Sequence, residues 1–97
     1  MKMITPEKLF TILSSQLRLE VLKVLAEEPE NVANVMKKLK ARGVDIKYRE
    51  TVYRALEKLV DVGLVGKFYD REKGLCYKLL VKSICVEITP SAIKIVC

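Results

Sequence analysis

The first two turns of the segment spanning residues 48–62 carry a cluster of side chains that donate strong hydrogen bonds. Two arginines, a tyrosine and a threonine lie there, namely Arg49, Thr51, Tyr53 and Arg54. The planar guanidinium group of arginine can donate two hydrogen bonds to the edge of a guanine base, and hydroxyl groups commonly bond to phosphate oxygens. These residue types therefore indicate contact with a nucleic acid.

The residues that catalysis or metal binding would need are scarce. The chain contains no histidine, which excludes a histidine-based triad or general base. It shows no paired carboxylates, phosphate-binding loop or cofactor motif. The cysteines are too few and too widely spaced for a zinc motif; they are Cys76, Cys85 and Cys97. The sequence thus predicts a protein that is not an enzyme, carries no metal or cofactor and has no identified small-molecule substrate.

The positive charge is concentrated in the middle of the chain. The net charge is +6, and residues 37–73 supply eleven basic and six acidic side chains, a net of +5. A clustered basic surface favours a polyanionic partner such as double-stranded DNA. The alternative is a solvated lysine-rich surface, which is common in proteins of hot-living organisms. A composition rich in lysine, valine and isoleucine is compatible with an archaeal origin.

The length and hydropathy of the chain suit one globular domain. Its 97 residues, 51% of them hydrophobic, are enough to form a single core. No apolar run approaches the roughly 20 residues that a membrane span needs, and the first residues lack the pattern of a signal peptide. We therefore expect a cytoplasmic protein with no membrane partner.

Capping residues and apolar spacing predict four helices. Thr5 can cap a helix that starts at Pro6, and Ser14-Ser15 precedes a second, strongly apolar helix. Asn31 can cap the third helix, and the fourth is the arginine-bearing segment 48–62.

Strand patterns follow the fourth helix. The stretches 64–69 and 75–81 are rich in β-branched and aromatic residues, and they flank the charged turn 70–74. This arrangement predicts a β-hairpin. Alternation over residues 44–46 predicts one further short strand, between the third and fourth helices.

The fourth helix has an apolar side and a polar side. Val52 and Leu56 define the inward direction, and Arg54 points nearly opposite. Two helices joined by a short turn, the second with a polar outer face, describe a helix-turn-helix, whose second helix enters the major groove of DNA. The hairpin turn would then reach phosphates or the adjacent minor groove. The predicted DNA-binding residues are Lys47, Tyr48, Arg49, Thr51, Tyr53, Arg54, Lys58, Arg71 and Lys73.

Two stretches resemble known regulator families. LSSQLRLEVLKVLAEEP resembles the helix before the turn in ArsR-like regulators, and ETVYRALEKLVDVGLVGK resembles the recognition helix and first wing strand of PadR- and Fur-like regulators. The resemblance implies an α+β winged helix-turn-helix. Residues 32–41 would form its supporting helix, 48–62 its recognition helix and 64–81 its wing. Metal sensing is not implied, because histidine is absent and the two helices of the turn lack cysteine.

The sequence divides at the end of the predicted wing. Residues 1–81 would form the DNA-binding domain, and residues 82–97, here called the C-terminal tail, would mediate homodimerisation. The alternative is that the apolar residues of the tail pack on their own domain. An intersubunit disulfide involving Cys85 and Cys97 and a set of reduced, inert thiols remain competing expectations.

The function expected from these features is that of a homodimeric, sequence-specific DNA-binding transcription regulator. Two alternatives keep the fold. One is a protein-interaction module, favoured by the carboxylates Glu50, Glu57 and Asp61, which would face DNA phosphates. The other is an architectural protein that coats DNA without sequence preference.

Overall fold

The computed structural model describes residues 4–96, which form an α+β fold of four helices, a small antiparallel sheet and a separate hairpin. In chain order the elements are α1 Pro6–Leu13, α2 Gln16–Glu27, β1 Glu30–Asn31, α3 Val32–Ala41, α4 Arg49–Asp61, β2 Val65–Asp70, β3 Gly74–Leu79, β4 Val86–Thr89 and β5 Ala92–Ile95. The architecture is compatible with the winged-helix expectation. Among the described residues, no helix is both long and apolar enough to cross a membrane.

The predicted caps start three of the helices. The side chains of Thr5, Ser15 and Asn31 each accept a hydrogen bond from the backbone amide three residues later, at 3.2, 3.3 and 2.8 Å. Each bond satisfies one of the amides that the first turn of a helix leaves unpaired. Arg18 stabilises the end of α1, because its Nε donates a hydrogen bond to the carbonyl oxygen of Ile12 at 2.8 Å.

The predicted hairpin is present as β2 and β3, which pair in register from Val65 with Leu79 to Asp70 with Gly74. Gly74 has a φ of +79°, a backbone conformation that other residues rarely adopt. Asp70 Oδ1 accepts hydrogen bonds from the amides of Glu72 and Lys73 at 2.8 and 3.0 Å, and these bonds lower the pKa of Asp70. Local chemistry therefore defines the turn.

The short strand predicted over residues 44–46 is wrong. That stretch is an irregular connection, and Ile46 is buried in the core with 8% of its surface exposed. The third strand of the sheet is β1, which pairs with Tyr77 and Cys76 of β3 and gives the order β1-β3-β2. The backbone amide of Val44 donates to the carbonyl oxygen of Leu39 at 3.0 Å, so the stretch begins by closing the end of α3 and is not paired with the sheet.

One core holds α1, α2, α3, α4 and the inner side of the sheet together. Its fully buried side chains include Val21 of α2, Val35 of α3, Leu56 of α4 and Tyr77 of β3. Burying a side chain of this size stabilises a fold by roughly 1.5–3 kcal/mol, so these contacts dominate the position of α4. The inward direction predicted for Val52 and Leu56 is confirmed, because neither side chain is exposed.

The C-terminal tail forms a second, two-stranded sheet in which β4 and β5 pair with each other. The register brings Val86 opposite Ile95 and Ile88 opposite Ile93, so four aliphatic side chains share one face. Ile95 packs against the core, whereas Ile88 is 76% exposed. The tail therefore packs on its own domain at one end and leaves apolar surface uncovered at the other. The predicted disulfide involves Cys97, which lies outside the described residues.

Candidate nucleic-acid interface

The outer side of α4 presents a row of polar side chains to solvent. Val52, Leu56 and Leu59 anchor the opposite side in the core. The predicted DNA-binding residues of this region are all exposed; they are Lys47, Tyr48, Arg49, Thr51, Tyr53, Arg54 and Lys58. Since α4 begins at Arg49, most of them lie in its first two turns or just before it. The helix thus displays one continuous polar surface.

Arg54 forms an ion pair within α4. Its Nε donates to Glu50 Oε1 at 3.1 Å, one helical turn away, and the two side chains are 75% and 61% exposed. An exposed pair of this kind contributes only about 0.3–0.5 kcal/mol. The guanidinium group can therefore exchange Glu50 for a stronger acceptor at little cost.

Glu57 is tied to the β2–β3 hairpin. Its Oε2 accepts a hydrogen bond from the hydroxyl group of Tyr77 at 2.7 Å, and its Oε1 accepts one from Lys67 Nζ at 3.2 Å. Burial of Tyr77, together with its bond to Glu57, raises the pKa of the tyrosine. This cluster fixes the hairpin to α4, and neither Lys67 nor Tyr77 was among the predicted site residues. The only signal in the sequence was that Tyr77 lies between Leu75 and Leu79 on one face of the predicted strand.

The third carboxylate of this region, Asp61, lies near the end of α4 and is 3.8 Å from Lys8 Nζ. Glu50, Glu57 and Asp61 therefore each have a cationic neighbour. Their negative charge is partly neutralised where it would otherwise repel phosphates. These three carboxylates would therefore repel a polyanionic partner less than their sequence positions alone indicated.

The two basic residues of the β2–β3 turn have different surroundings. Arg71 is exposed at the tip, whereas Lys73 Nζ lies 3.3 Å from Glu30 Oε1. Glu30 is 3% exposed and also pairs with Lys38 Nζ at 2.9 Å. Asn31 Nδ2 adds a hydrogen bond to the carbonyl oxygen of Lys73 at 3.1 Å. Lys73 thus holds the turn against β1 and α3, and Arg71 is the better placed of the two to reach a ligand.

Exposed aromatic and aliphatic side chains extend the surface onto the hairpin. Tyr69 and Leu75 are cross-strand neighbours near the turn and are 79% and 42% exposed. They share a strand face with Lys67 and Tyr77, the residues that contact α4. Tyr69 was not among the predicted residues, although its place beside a basic turn could have indicated it.

The structure connects the two groups of predicted residues through the Glu57 cluster. Lys47 to Lys58 lie on α4 and the connection before it, and Arg71 and Lys73 lie at the hairpin turn. The contacts of Glu57 with Lys67 and Tyr77 set the orientation between them. The resulting surface can donate hydrogen bonds and stack aromatic rings. Within residues 4–96 no three metal-ligating side chains cluster together.

No family model, no curated protein and no solved structure matches this chain.

Proposed function

We propose that this protein is a homodimeric, sequence-specific DNA-binding transcription regulator with a winged helix-turn-helix fold. In this proposal α3 is the supporting helix, α4 the recognition helix and the β2–β3 hairpin the wing. The observation that carries it is the exposed outer side of α4. Arginine, threonine and tyrosine side chains lie in the first turns of α4. Glu50, Glu57 and Asp61 along the helix each have a cationic neighbour.

The order and pairing of the elements support the proposal. The hairpin follows directly after α3 and α4, the two helices proposed as the helix-turn-helix, and β1 closes the sheet on the far side of β3. In such a fold the major groove accommodates the second helix, and its N-terminal residues reach base edges. Arg49, Thr51 and Arg54 occupy those positions.

The C-terminal tail supports the homodimer. Ile88 and Ile93 lie on the aliphatic face of the β4–β5 hairpin and remain 76% and 48% exposed. A two-stranded sheet is only marginally stable unless a further surface covers its apolar face. A second copy of the chain, related by a two-fold axis, would cover both faces at once. Two recognition helices would then meet half-sites about one DNA turn apart.

A protein-interaction module is the second candidate. Tyr48, Tyr53 and Tyr69 are all substantially exposed, at 69%, 40% and 79%, and tyrosine is enriched in protein interfaces. We rank it below DNA binding because these tyrosines lie among arginines and lysines.

The deciding experiment is selection of bound duplexes from a random-sequence DNA pool at about physiological salt. We expect enrichment of a palindromic motif whose half-sites are separated by about one helical turn. A variant in which Arg49 and Arg54 are both replaced by glutamine is the matched control, and it should retain DNA without enriching any motif. Retention by the wild type without enrichment would indicate an architectural protein. Failure to retain DNA even at low salt would favour the protein-interaction module.

A further inference from the structure

A groove runs along the outer side of α2, between that helix and segment 80–84, which follows β3 and leads toward β4. It encloses a volume of about 310 Å³. Its apolar walls come from Leu22 and Ala26 of α2, from Leu64, which precedes β2, and from Leu79 at the end of β3. Small-molecule sites in proteins have volumes of roughly 300–1,000 Å³ and mainly apolar linings.

Lysines supply the charge at this part of the groove. Lys23 and Lys82 both line it. Among the described residues, no carboxylate belongs to its lining. Lys23 Nζ lies 3.5 Å from Glu20 Oε1, but the lysine side chain is 61% exposed. Such a pair is weak, so Lys23 can turn toward an anion in the groove at little cost.

A second cavity of about 520 Å³ continues the groove along α2 and shares Ala26, Leu79 and Lys82 with the first. Glu27, Glu28 and Lys78 line this far end, and the two carboxylates pair with Arg42 Nη1 at 3.3 Å and with Lys38 Nζ at 3.1 Å. In the described part of the chain, the first cavity has two lysines and no carboxylate in its lining, whereas the far end has both signs of charge, so a ligand would place its negative charge toward Lys23 and Lys82. Its apolar part would extend over Ala26 and Leu79.

We propose that this groove binds an aliphatic carboxylic acid. The carboxylate pairs with Lys23 and Lys82, and the alkyl chain covers Leu22, Ala26 and Leu79. The site lies on α2 and segment 80–84, apart from α4 and the β2–β3 turn, so it does not depend on the proposed binding of DNA. Because segment 80–84 leads toward β4, an occupied groove would hold the β4–β5 hairpin against the main body.

The test is a titration of the full-length, isotopically labelled protein with decanoate, followed by two-dimensional amide NMR. We expect saturable shift changes centred on Ala26 and Ser83, which line the groove. Decanol and decylammonium, which have the same chain but no negative charge, should bind more weakly than decanoate.

Three variants identify the contacts. Lys82→Gln should raise the Kd for decanoate by about two- to fivefold, the effect of losing one exposed ion pair, and should leave the Kd for decanol unchanged. Ala26→Leu should abolish binding because the larger side chain fills the groove. Ala26 and Lys82 are exposed, so both variants should retain the wild-type spectrum elsewhere. Lys40→Gln, an exposed lysine on α3 outside the groove, is the matched control and should bind like the wild type.

Three results would overturn the proposal. Decanol could bind as tightly as decanoate, which would remove the role of the lysines. Binding could survive Ala26→Leu, or the shift changes could fall outside α2 and segment 80–84, and either would place the ligand elsewhere. None of these results would alter the outcome of the DNA selection.

Discussion

Arg54 and Glu50 lie one turn apart on the exposed side of α4, and their ion pair is open to solvent. A guanine edge offers the guanidinium group two acceptors, whereas Glu50 receives one hydrogen bond from it at 3.1 Å. The exchange would therefore favour the base. At the same time, Glu50 keeps Arg54 pointing outward from the helix in the absence of DNA.

Replacing Arg54 by alanine should weaken binding to the selected DNA site by about 1–3 kcal/mol, because the bidentate contact to guanine is lost. Binding to random DNA should change much less. Equilibrium titrations of both duplexes at one salt concentration measure the difference. Arg54→Lys is the control, since it keeps the charge but loses the planar pair of donors. An equal loss of affinity for both duplexes would mean that Arg54 contacts a phosphate and not a base.

Glu30 offers a second prediction at the scale of one residue. Burial alone would raise its pKa, but the hydrogen bonds from Lys38 and Lys73 offset this effect, and the pKa lies below the usual 4.5. The folded state therefore favours the ionised form of Glu30 more than the unfolded state does. The resulting stabilisation is fully present above the pKa that Glu30 has in the unfolded chain, and it is lost as the pH falls through the pKa in the folded protein.

We therefore expect Glu30→Gln to lower the free energy of unfolding by about 1–3 kcal/mol at neutral pH. The difference from the wild type should shrink as the pH falls from neutral through the lowered folded-state pKa of Glu30, because the wild-type carboxyl group then also becomes neutral. Urea denaturation across this range measures it. Glu72→Gln, at an exposed position of the β2–β3 turn, should change stability little at either end of this pH range. A difference for Glu30→Gln that does not depend on pH would contradict the ionic role.

At the scale of elements, the β2–β3 hairpin is held from two sides. Glu57 of α4 binds Lys67 and Tyr77, and Glu30 binds Lys73 at the turn. Both anchors orient the hairpin relative to α4. They also engage Lys67 and Lys73, so a phosphate would have to compete with a carboxylate for either lysine.

The two basic residues of the turn should therefore differ in their effect on salt dependence. Arg71→Ala should reduce the slope of log Kobs against log salt by about 0.9, which corresponds to one phosphate contact. Lys73→Ala should change the slope less and should lower the thermal stability of the protein instead. Titrations at several salt concentrations, together with melting curves, separate the two effects. An unchanged slope for Arg71→Ala would remove the hairpin turn from the interface.

Local sequence signals were sufficient for most elements. Thr5, Ser15 and Asn31 cap helices through bonds to the amides three residues away, so their effect is visible in short stretches of sequence. The same holds for the turn from Asp70 to Gly74, which depends on a side chain two or three residues away and on a glycine at positive φ. The exposure of the predicted residues of α4 follows from the period of its apolar side.

Long-range pairing was not predictable in this way. β1 has two residues, and it is a strand because Glu30 and Asn31 lie opposite Tyr77 and Cys76, more than 40 positions later. The bond from Tyr77 to Glu57 likewise depends on how the hairpin docks on α4. A pattern of apolar residues along the chain contains neither fact. The strand predicted at residues 44–46 failed for the opposite reason. Its alternating pattern is local, but these residues pair with no strand of the sheet.

At the scale of the whole molecule, the chain is elongated. Its radius of gyration is 14.3 Å and its extents are 48, 29 and 20 Å. A compact chain of this length would have a radius of gyration of about 12–13 Å. The contact of β5 with α1 joins the C-terminal tail to the main body, while the face that carries Ile88 and Ile93 stays largely uncovered.

Ile88→Asp should therefore dissociate the proposed homodimer without unfolding the monomer. Burying one isoleucine at an interface contributes roughly 1.5–3 kcal/mol, and a buried carboxylate adds a desolvation cost, so the dimer Kd should rise at least about tenfold. Sedimentation equilibrium measures the Kd, and circular dichroism checks the fold. Glu87→Gln, on the opposite face of the same strand, is the control and should dimerise normally. A wild type that sediments as a monomer at every concentration would remove the homodimer from the proposal.

The separateness of the β4–β5 sheet has a consequence for how such a protein could diversify. Neither strand pairs with the three-stranded sheet that supports α4. Substitutions on the exposed face of the tail could therefore change the partner of the chain while α4 and its anchors remain as they are. Under the proposed function, choice of partner and choice of nucleic-acid sequence would then vary as two independent traits of one chain.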